Sequence, residues 1–408
     1  MTKKSDAPAI RFKGFSDAWE QRKLSEIADK VTEKNSGLQY VETFTNSAEF
    51  GIISQRDFFD HDIAKLSSLD GYYIVKNEDF VYNPRISTSA PVGPINRNKL
   101  GRTGVMSPLY TVFRPHDVDT TYLEHFFKCA YWHSFMNFNG DSGARSDRFS
   151  IKNDVFFQMP IPLPHIDEQR KIGELLTCLD HLITLHQRKF EKLTNVKKSM
   201  LEKMFPQNGS SYPEIRFKGF TDPWEQRKVG DLLIERNQQA PMSDEYPLMA
   251  FIANEGVAPK GERYDRSALV TDTVNKLYKK TEKGDFIYSS NNLETGSIGL
   301  NKYGKACISP VYSIFEPTGI ADSDFLGRRL VRKDFINAMV KWRQGVIYGQ
   351  WRIHESDFLK IEITVPSVEE QRKIGAYLDQ LDHLITLHQR ELEKLQNIKK
   401  SMLEKMFV

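Results

Sequence analysis

The chain has 408 residues, of which 39% are hydrophobic and 27% are charged, and its formal net charge is +3. This composition is typical of a soluble globular protein of two or three domains, and the charge alone neither supports nor excludes binding to nucleic acid. The three cysteines follow no disulfide pattern, and no stretch approaches the roughly 18 apolar residues of a membrane span, so we expect a cytoplasmic protein with no membrane partner.

Two stretches of the sequence occur twice. The first, IRFKGFSDAWEQRK at 10–23, returns at 215–228 with twelve of fourteen residues identical. The second begins with EQRKIG and covers 168–205, and it returns at 370–407 with thirty of thirty-eight residues identical. A period of roughly 200 residues is too long for a solenoid repeat, so the pattern predicts the duplication of a whole domain.

The stretches between the copies have diverged but keep a common pattern. DFVYNPR at 79–85 corresponds to DFIYSSN at 285–291, and MSPLYTVF at 106–113 corresponds to ISPVYSIF at 308–315. Short β-rich runs alternate with loops rich in Gly, Ser, Asn and Pro, which predicts an α+β domain with a twisted sheet in each half. The same pattern with different loop residues is typical of a recognition domain adapted to a different target.

Each copy of the longer repeat is predicted to be one helix of roughly 55 Å, because apolar residues recur at intervals of three and four. Ser367 and Glu370 form a capping-box pattern before the second helix, and Asp167 is the predicted cap of the first. The apolar stripe is wider than the seam of a two-helix pair. We therefore predict an antiparallel pair that also accepts helices of a partner chain, and burial within this chain alone is the alternative. The predicted interface consists of Ile172, Leu179, Leu182, His186, Phe190, Leu193, Met200, Ile374, Leu381, His388, Leu392, Leu395 and Met402.

The helix histidines lie five residues apart, about 140° around the axis, which does not match the i,i+4 spacing of a zinc pair. We therefore interpret them as structural residues and predict no metal site. If related helices cross about a pseudo-two-fold axis, His186 lies opposite His388 near the midpoints. Ile172 then pairs with Met402.

The sequence resembles the DNA-specificity subunit of type I restriction-modification systems. The resemblance covers essentially the whole chain and depends on three features: W-E-Q-R-K at the start of each half, P-x-x-x-E-Q-R-K-I before each long helix, and the order reader–helix–reader–helix. It implies an α+β protein with two tandem α/β target-recognition domains, separated by two long antiparallel coiled-coil helices in a pseudo-two-fold internal repeat. The domains are 1–165, the first helix 166–205, the second domain 206–366 with a linker at 206–214, and the second helix 367–408.

The resemblance also implies a chain that is not an enzyme and that has no catalytic residues or cofactor of its own. Its expected partners are double-stranded DNA, two methyltransferase subunits and two restriction/motor subunits, with S-adenosylmethionine, ATP and Mg on those subunits. Consistent with this expectation, the sequence shows no N-P-P-aromatic motif and no glycine-rich cofactor loop of an adenine methyltransferase.

The predicted DNA-contacting residues are polar loop residues that differ between the halves at equivalent positions. Arginine pairs with guanine, asparagine and glutamine pair with adenine, and hydroxyl groups pair with either. A basic run at 328–343 adds a possible phosphate-binding helix face. The predicted contacts are Asn83, Arg85, Ser87, Thr88, Arg145, Arg148, Ser290, Asn291, Asn292, Lys341, Arg343, Tyr348, Gln350 and Arg352.

Two other interpretations of the sequence remain open. In the first alternative, the chain is a self-contained restriction or modification enzyme with a cryptic active site. In the second, it is a coiled-coil adaptor that binds proteins and no DNA. The missing methyltransferase and nuclease motifs count against the first alternative. The near-neutral charge is compatible with the second, and a salt-dependent DNA-binding assay would distinguish it.

Overall fold

The structure is a computed structural model that describes residues 8–59, 66–141, 147–207, 209–259, 276–347 and 350–407. For 66, 345–347 and 350 it describes the backbone only. Within these ranges, no helix is both long and apolar enough to cross a membrane.

The strands are β1 Glu20–Lys23, β2 Ala28–Lys30, β3 Phe44–Ser47, β4 Gly51–Ser54, β5 Tyr73–Val75, β6 Phe80–Tyr82, β7 Ile95–Arg97, β8 Gly104–Met106, β9 Thr111–Pro115, β10 Pro160–Leu163, β11 Glu225–Lys228, β12 Leu233–Glu235, β13 Gln239–Ala240, β14 Ala250–Ile252, β15 Gly256–Ala258, β16 Tyr278–Thr281, β17 Phe286–Tyr288, β18 Ile298–Leu300, β19 Ala306–Ile308, β20 Ser313–Pro317, β21 Gln344–Ile347, β22 Gln350–Arg352 and β23 Glu362–Val365.

The α-helices are α1 Gln55–Phe59, α2 Thr120–Lys128, α3 His133–Asn139, α4 Asn153–Phe156, α5 Ile166–Lys203, α6 Val229–Leu232, α7 Ser323–Arg329, α8 Lys333–Val340, α9 Glu355–Phe358 and α10 Val368–Lys405. Short 3-10 helices lie at Leu24–Glu26 and Leu66–Gly71. The two long helices, α5 and α10, have 38 residues each, which confirms the predicted helices to within three residues at either end.

The chain forms two compact units. Unit 1 consists of Met1–Arg188 and Gln389–Val408, and unit 2 consists of Lys189–His388. Each unit therefore contains the first part of one long helix and the last part of the other. The repeat in the sequence corresponds to a repeated fold.

The centre of unit 1 is a four-stranded antiparallel sheet in the order β2-β9-β6-β7. Successive side chains of a strand point to opposite faces, and β6 shows the effect. Phe80 and Tyr82 lie in the larger core with the helices, whereas Val81 lies in a second, smaller core on the other face. All three residues of β6 are buried for this reason. The sheet thus has apolar cores on both faces, and its loops are free to carry function.

Unit 2 has the same arrangement, with a central antiparallel sheet in the order β12-β20-β17-β18. Phe286 and Tyr288 of β17 belong to its larger core, and Ile287 belongs to the core on the opposite face. This confirms the predicted α+β domain in each half.

The two repeated stretches contact each other in both units. In unit 1, the Arg11 guanidinium donates two hydrogen bonds of 2.8 Å to the carboxylate of Glu168 at the start of α5. In unit 2, Arg216 makes the same pair with Glu370 at the start of α10, at 2.7 and 2.8 Å. The glutamates are almost completely buried. Both repeats are therefore parts of one scaffold.

The same segments contact the ends of the long helices. The Ile10 amide donates to the carbonyl of Lys405 at 3.0 Å, and the Ile215 amide donates to Lys203 at 2.9 Å. Ile10, which contacts the end of α10, and Arg11, which contacts the start of α5, are consecutive residues. The start of α5 therefore lies beside the end of α10 in unit 1. The long helices are therefore antiparallel within the unit, which confirms that part of the predicted fold.

The predicted helix caps need correction. α5 begins at Ile166, so Asp167 lies inside the first turn, and the His165 carbonyl accepts from the amides of Glu168 and Gln169 instead. Ser367 does accept from the Glu370 amide at 3.4 Å, but the Glu370 carboxylate is bound by Arg216 and does not complete a capping box. The tertiary ion pair replaces the local hydrogen bond.

Candidate DNA-reading surface

In unit 1, the β6–β7 loop, residues 83–94, carries four of the predicted DNA contacts. A second segment crosses it: the Ile86 amide donates to the Asp147 carbonyl at 3.0 Å, and the Phe149 amide donates to the Pro84 carbonyl at 2.7 Å. These bonds make an antiparallel bridge between Arg85 and Arg148. The structure therefore brings together two predicted contacts that are 63 positions apart in the sequence, which is 148 minus 85.

The side chains on this loop differ in how free they are. Arg85, Ser87 and Thr88 are exposed, and Arg148 is partly exposed. The Ser87 hydroxyl accepts from the Ala90 amide at 3.2 Å, which closes a tight turn. Arg85 and Arg148 thus present two guanidinium groups from neighbouring backbone segments, a pattern suited to guanine edges or phosphates.

Asn83 makes hydrogen bonds within the fold, and its contact with DNA stays a prediction. Its amide nitrogen donates to the Asn46 carbonyl at 2.8 Å, and its amide oxygen accepts from the Arg85 amide at 3.0 Å. Gly93 passes so close to Asn83 that an added Cβ would lie 2.2 Å from the Asn83 carbonyl oxygen. The hydrogen-bonding groups of Asn83 therefore already stabilise the loop.

In unit 2, the β17–β18 loop, residues 289–297, is crossed in the same way by residues 350–353. The Ser290 hydroxyl accepts from the Ile353 amide at 3.1 Å, and the Asn291 amide oxygen accepts from the Trp351 amide at 2.6 Å. Asn291, Asn292 and Arg352 are exposed. Both units thus combine a hairpin loop with a crossing segment, and the residue types at this junction differ.

Arg343 lies beside the second loop. Its guanidinium binds both carboxylate oxygens of Glu294 at 2.7 Å and lies 5.9 Å from the centre of the Trp351 ring. Lys341 is exposed nearby. Through Glu294, Arg343 therefore connects the segment that follows α8 to the β17–β18 loop; this loop and the β6–β7 loop of unit 1 are called the reading loops below.

The basic run at 328–343 does not form one continuous helix face. It is divided between α7 and α8, and its first arginines contact acidic or carbonyl groups of the same unit. Arg328 binds Asp382 at 3.0 Å, Arg329 binds Asp334 at 3.0 Å, and Arg332 donates to the Leu201 carbonyl at 2.5 Å. These contacts correct the expected phosphate-binding face, because the charges of these arginines are used within the fold.

Three predicted contacts have no described side chain. Arg145 and Tyr348 lie outside the described residues, and Gln350 is described by its backbone alone. Their role in DNA contact stays a prediction.

The predicted helix interface occupies the described cores of both units. In unit 1, Ile172 and Leu179 lie in the main core, with Leu395 and Met402 packed against it. In unit 2, Ile374 and Leu381 lie in the core, with Leu193 and Met200 packed against it. Leu392 is buried, whereas Leu182, Phe190, His186 and His388 are partly exposed. Residues that were predicted to pair across the two long helices, such as Ile172 and Met402, therefore belong to the same core.

Ion pairs flank these apolar layers at equivalent positions of the repeat. In unit 1, Lys399 contacts Asp180, and in unit 2 Lys197 contacts Asp382 at 2.5 Å. The residues of each pair are the repeat counterparts of the other pair. The helix pairing is therefore the same in both units.

The junction of α2 and α5 in unit 1 holds a charged cluster. Glu124 contacts Arg97 at 2.7 Å and Lys99 at 2.8 Å. Although burial raises the pKa of Glu124, the charges of Lys128, Lys99 and Arg97 lower it to about 2. Adjacent to it, burial and the charge of Lys128 lower the pKa of His125 to about 4. Glu124 is thus a carboxylate at neutral pH, and His125 is neutral.

Several contacts that hold this surface and its scaffold together were not predicted from the sequence. Asn46 on β3 and the Arg–Glu pairs of the scaffold join residues far apart in the chain, so no local motif marks them. The paired recurrence of Arg11 with Glu168 and of Arg216 with Glu370 was a usable signal, because both members lie in repeated stretches. Among the described residues, no group of three or more His, Cys, Asp or Glu is arranged to hold a metal ion.

Comparison with known proteins identifies the class. A family model described as "Type I restriction modification DNA specificity domain" matches residues 16–195 and 221–397, which is most of the chain. The chain belongs to this family, and each half carries one such domain.

Two curated relatives share about a quarter of their aligned residues with this chain. A putative type I restriction enzyme MjaX specificity subunit from Methanocaldococcus jannaschii is 26% identical over 264 residues, 62% of this chain and 60% of that protein. The type I restriction enzyme MjaVIII specificity subunit of the same organism is 25% identical over 277 residues, 62% of each chain. The alignments thus span less than two thirds of these curated relatives.

A solved structure shares the fold. The crystal structure of a type I restriction-modification system S subunit from M. genitalium matches with a TM-score of 0.56 at 14% identity, and the match covers 98% of this chain and 99% of that chain. At this identity the likeness concerns the fold alone.

Proposed function

We propose that the chain is the DNA-specificity subunit of a type I restriction-modification complex, in which each unit reads one half of an asymmetric bipartite site in double-stranded DNA. The observation that carries the proposal is the pair of equivalent loop junctions. A common scaffold positions Arg85 and Arg148 in unit 1, and Asn292 and Arg352 in unit 2. Different residues at the same structural position are what two different half-sites require.

The chemistry of these residues supports recognition of base edges. Arginine donates two parallel hydrogen bonds to guanine, and asparagine both donates to and accepts from adenine. A type I specificity domain in each half gives the same assignment. The two units would therefore read different sequences with the same type of surface.

Under this proposal the chain itself carries out no reaction. It binds two methyltransferase subunits and, with them, two motor and nuclease subunits, and S-adenosylmethionine, ATP and Mg belong to those subunits. The long helices support a docking role, because equivalent leucines, Leu185 in unit 1 and Leu387 in unit 2, are exposed on them. Exposed leucines at one repeat position fit a partner that is present in two copies.

Selection from a random DNA library tests the proposal. The chain, purified together with the subunits that accompany it, is expected to enrich two short, different motifs separated by a gap of fixed length. Binding should weaken steeply as salt rises, because phosphate contacts release counterions. Enrichment of no sequence, or of one continuous or palindromic motif, would contradict the proposal.

A further inference from the structure

We infer that the β3–β4 hairpin of unit 1 is a third recognition element, and that Phe50 at its turn makes apolar contact with the methyl group of a thymine in the DNA half-site read by this unit. The inference rests on the proposed function and adds a specificity-determining residue to it.

Buried amide groups hold the hairpin against the reading loop. Asn46 on β3 is almost completely buried, and its amide nitrogen donates to the Val81 carbonyl on β6 at 2.7 Å. Asn96 on β7 donates to the Asn46 amide oxygen at 2.7 Å, and Asn83 of the loop donates to the Asn46 carbonyl at 2.8 Å. One buried hydrogen-bond network therefore connects the hairpin to β6, β7 and the reading loop. A satisfied buried network of this kind makes the position of the hairpin relative to the loop rigid.

The turn itself lies beside the same strand. Gly51, which follows Phe50, has a φ of +71°, and a Cβ added there would be 3.9 Å from the side-chain carbon of Asn96. The Asn96 amide also donates to the Ser47 carbonyl at 3.1 Å, and the Ser47 hydroxyl accepts from the Phe50 amide at 3.2 Å, so these bonds hold the backbone of Phe50 at the turn. The turn and the reading loop belong to a continuous surface.

Phe50 is exposed to 60% at this position, and its ring makes an edge contact with Phe58, with the centroids 6.3 Å apart. Phe58 and Phe59 are exposed beside it, by 41% and 37%, so the ring belongs to a small apolar patch and is not an isolated exposed residue. Here a buried polar network holds the turn that carries the ring beside a candidate DNA surface. In the major groove, thymine presents that methyl group, and phenylalanine is one of the side chains that bind it.

Unit 2 provides an internal comparison. The turn between β14 and β15 also packs on its reading loop: the Asn254 amide donates to the Gly296 carbonyl at 3.0 Å, and a Cβ on Gly296 would lie 2.2 Å from the Asn254 amide oxygen. The exposed residues of this turn are Ala253, Asn254 and Glu255, so no aromatic ring is present. The packing is common to both units and the exposed residue differs, as at the reading loops.

The test uses the complex that carries the full chain and the DNA motif found by selection. The half-site of unit 1 is the one that stays unchanged when residues 229–366 are exchanged for those of a relative. Each thymine of that half-site is replaced in turn by deoxyuridine, which lacks only the methyl group. We expect one replacement to weaken binding of the wild type about threefold to tenfold.

The variant F50A should bind the thymine DNA as weakly as the wild type binds the deoxyuridine DNA, with no further loss on deoxyuridine. F50L, which keeps an apolar side chain, should retain most of the affinity. Replacements in the other half-site are the matched control and should affect the wild type and F50A equally. Thermal unfolding of F50A verifies that the exposed substitution leaves the fold intact.

The inference is overturned if F50A binds as tightly as the wild type, if F50A loses affinity without losing its sensitivity to the methyl group, or if the half-site contains no thymine. These outcomes leave the proposed function standing, because the complex still selects a bipartite site. A wild-type complex that selects no sequence overturns both.

Discussion

Replacing Arg216 with methionine tests the scaffold on which both reading surfaces depend. Arg216 binds the Glu370 carboxylate through two hydrogen bonds of 2.7 and 2.8 Å, and Glu370 is only 1% exposed. The hydrogen bond to Glu370 is also the main cause that raises the pKa of Arg216. Removing one partner of a buried ion pair leaves an uncompensated charge, and the typical cost is about 3–5 kcal/mol. We expect R216M to lower the free energy of unfolding of unit 2 by about 3 kcal/mol.

A matched control is available in the same unit. Arg227 pairs with Glu225 at 2.6 Å, but both side chains are exposed, by 40% and 68%. Such surface pairs contribute about 0–1 kcal/mol, so R227M should change stability little. The double variant R216M/E370L should recover part of the loss, because it removes the unpaired carboxylate along with the arginine.

The assay is urea unfolding followed by hydrogen exchange with mass spectrometry, in which peptides from β11 and β23 report unit 2 and peptides from β1 and β10 report unit 1. R216M should reduce protection in the peptides of unit 2. If the losses for R216M and R227M agree within about 1 kcal/mol, the buried pair does not stabilise the scaffold and the argument fails.

Two further predictions concern the junctions of the long helices. G375A is expected to destabilise unit 2 by about 1–3 kcal/mol, because the added Cβ would lie 2.6 Å from the capping oxygen of Asp322, although alanine is the better helix former. G173A should cost less, because the nearest atom to its added Cβ lies 3.1 Å away. Equal shifts of the thermal unfolding temperature in the two variants would contradict this difference in packing. Acid should destabilise unit 1 selectively, because the pKa of His125 is lowered from 6.5 to about 4 in the folded protein. Between pH 6.5 and pH 4 the unfolded state therefore binds more protons than the folded state. The stability that is present above pH 6.5 is lost as the pH falls towards 4. The loss should be on the order of 2–3 kcal/mol by hydrogen exchange at pH 7 and pH 4, H125Q should flatten it, and a wild-type profile that is flat over this window would contradict the buried neutral imidazole.

Local patterns in the sequence were sufficient to predict the main elements. The spacing of apolar residues predicted both long helices, and the runs at 80–82 and 286–288 predicted the central strands, because these signals depend on neighbours along the chain. The comparison of the two halves also selected Arg85 and Arg148 as DNA contacts, and the structure adds that their segments meet, which the sequence did not predict. The common fold of the two halves was therefore accessible without coordinates.

Contacts between distant residues were not accessible in this way. Glu370 matched a local capping box, yet its partner Arg216 lies 154 positions away and binds it in preference. The arginines near residue 330 read as one basic run, but acidic groups such as Asp382, from a separate helix, neutralise part of it. Asn83, a predicted DNA contact, also donates to the carbonyl of the distant Asn46, which no local pattern indicated. In each case, the side chain binds a residue that is distant in the sequence, and a local sequence pattern carries no information about that partner.

The central claim is that each unit reads its own half-site, and exchanging residues 229–366 for the equivalent segment of a relative tests it most directly. The measurement is the DNA motif selected by the complex before and after the exchange, from the same random library. The account predicts that one half of the motif changes while the other half, read by unit 1, stays the same. A change in both halves, or in neither, would contradict it.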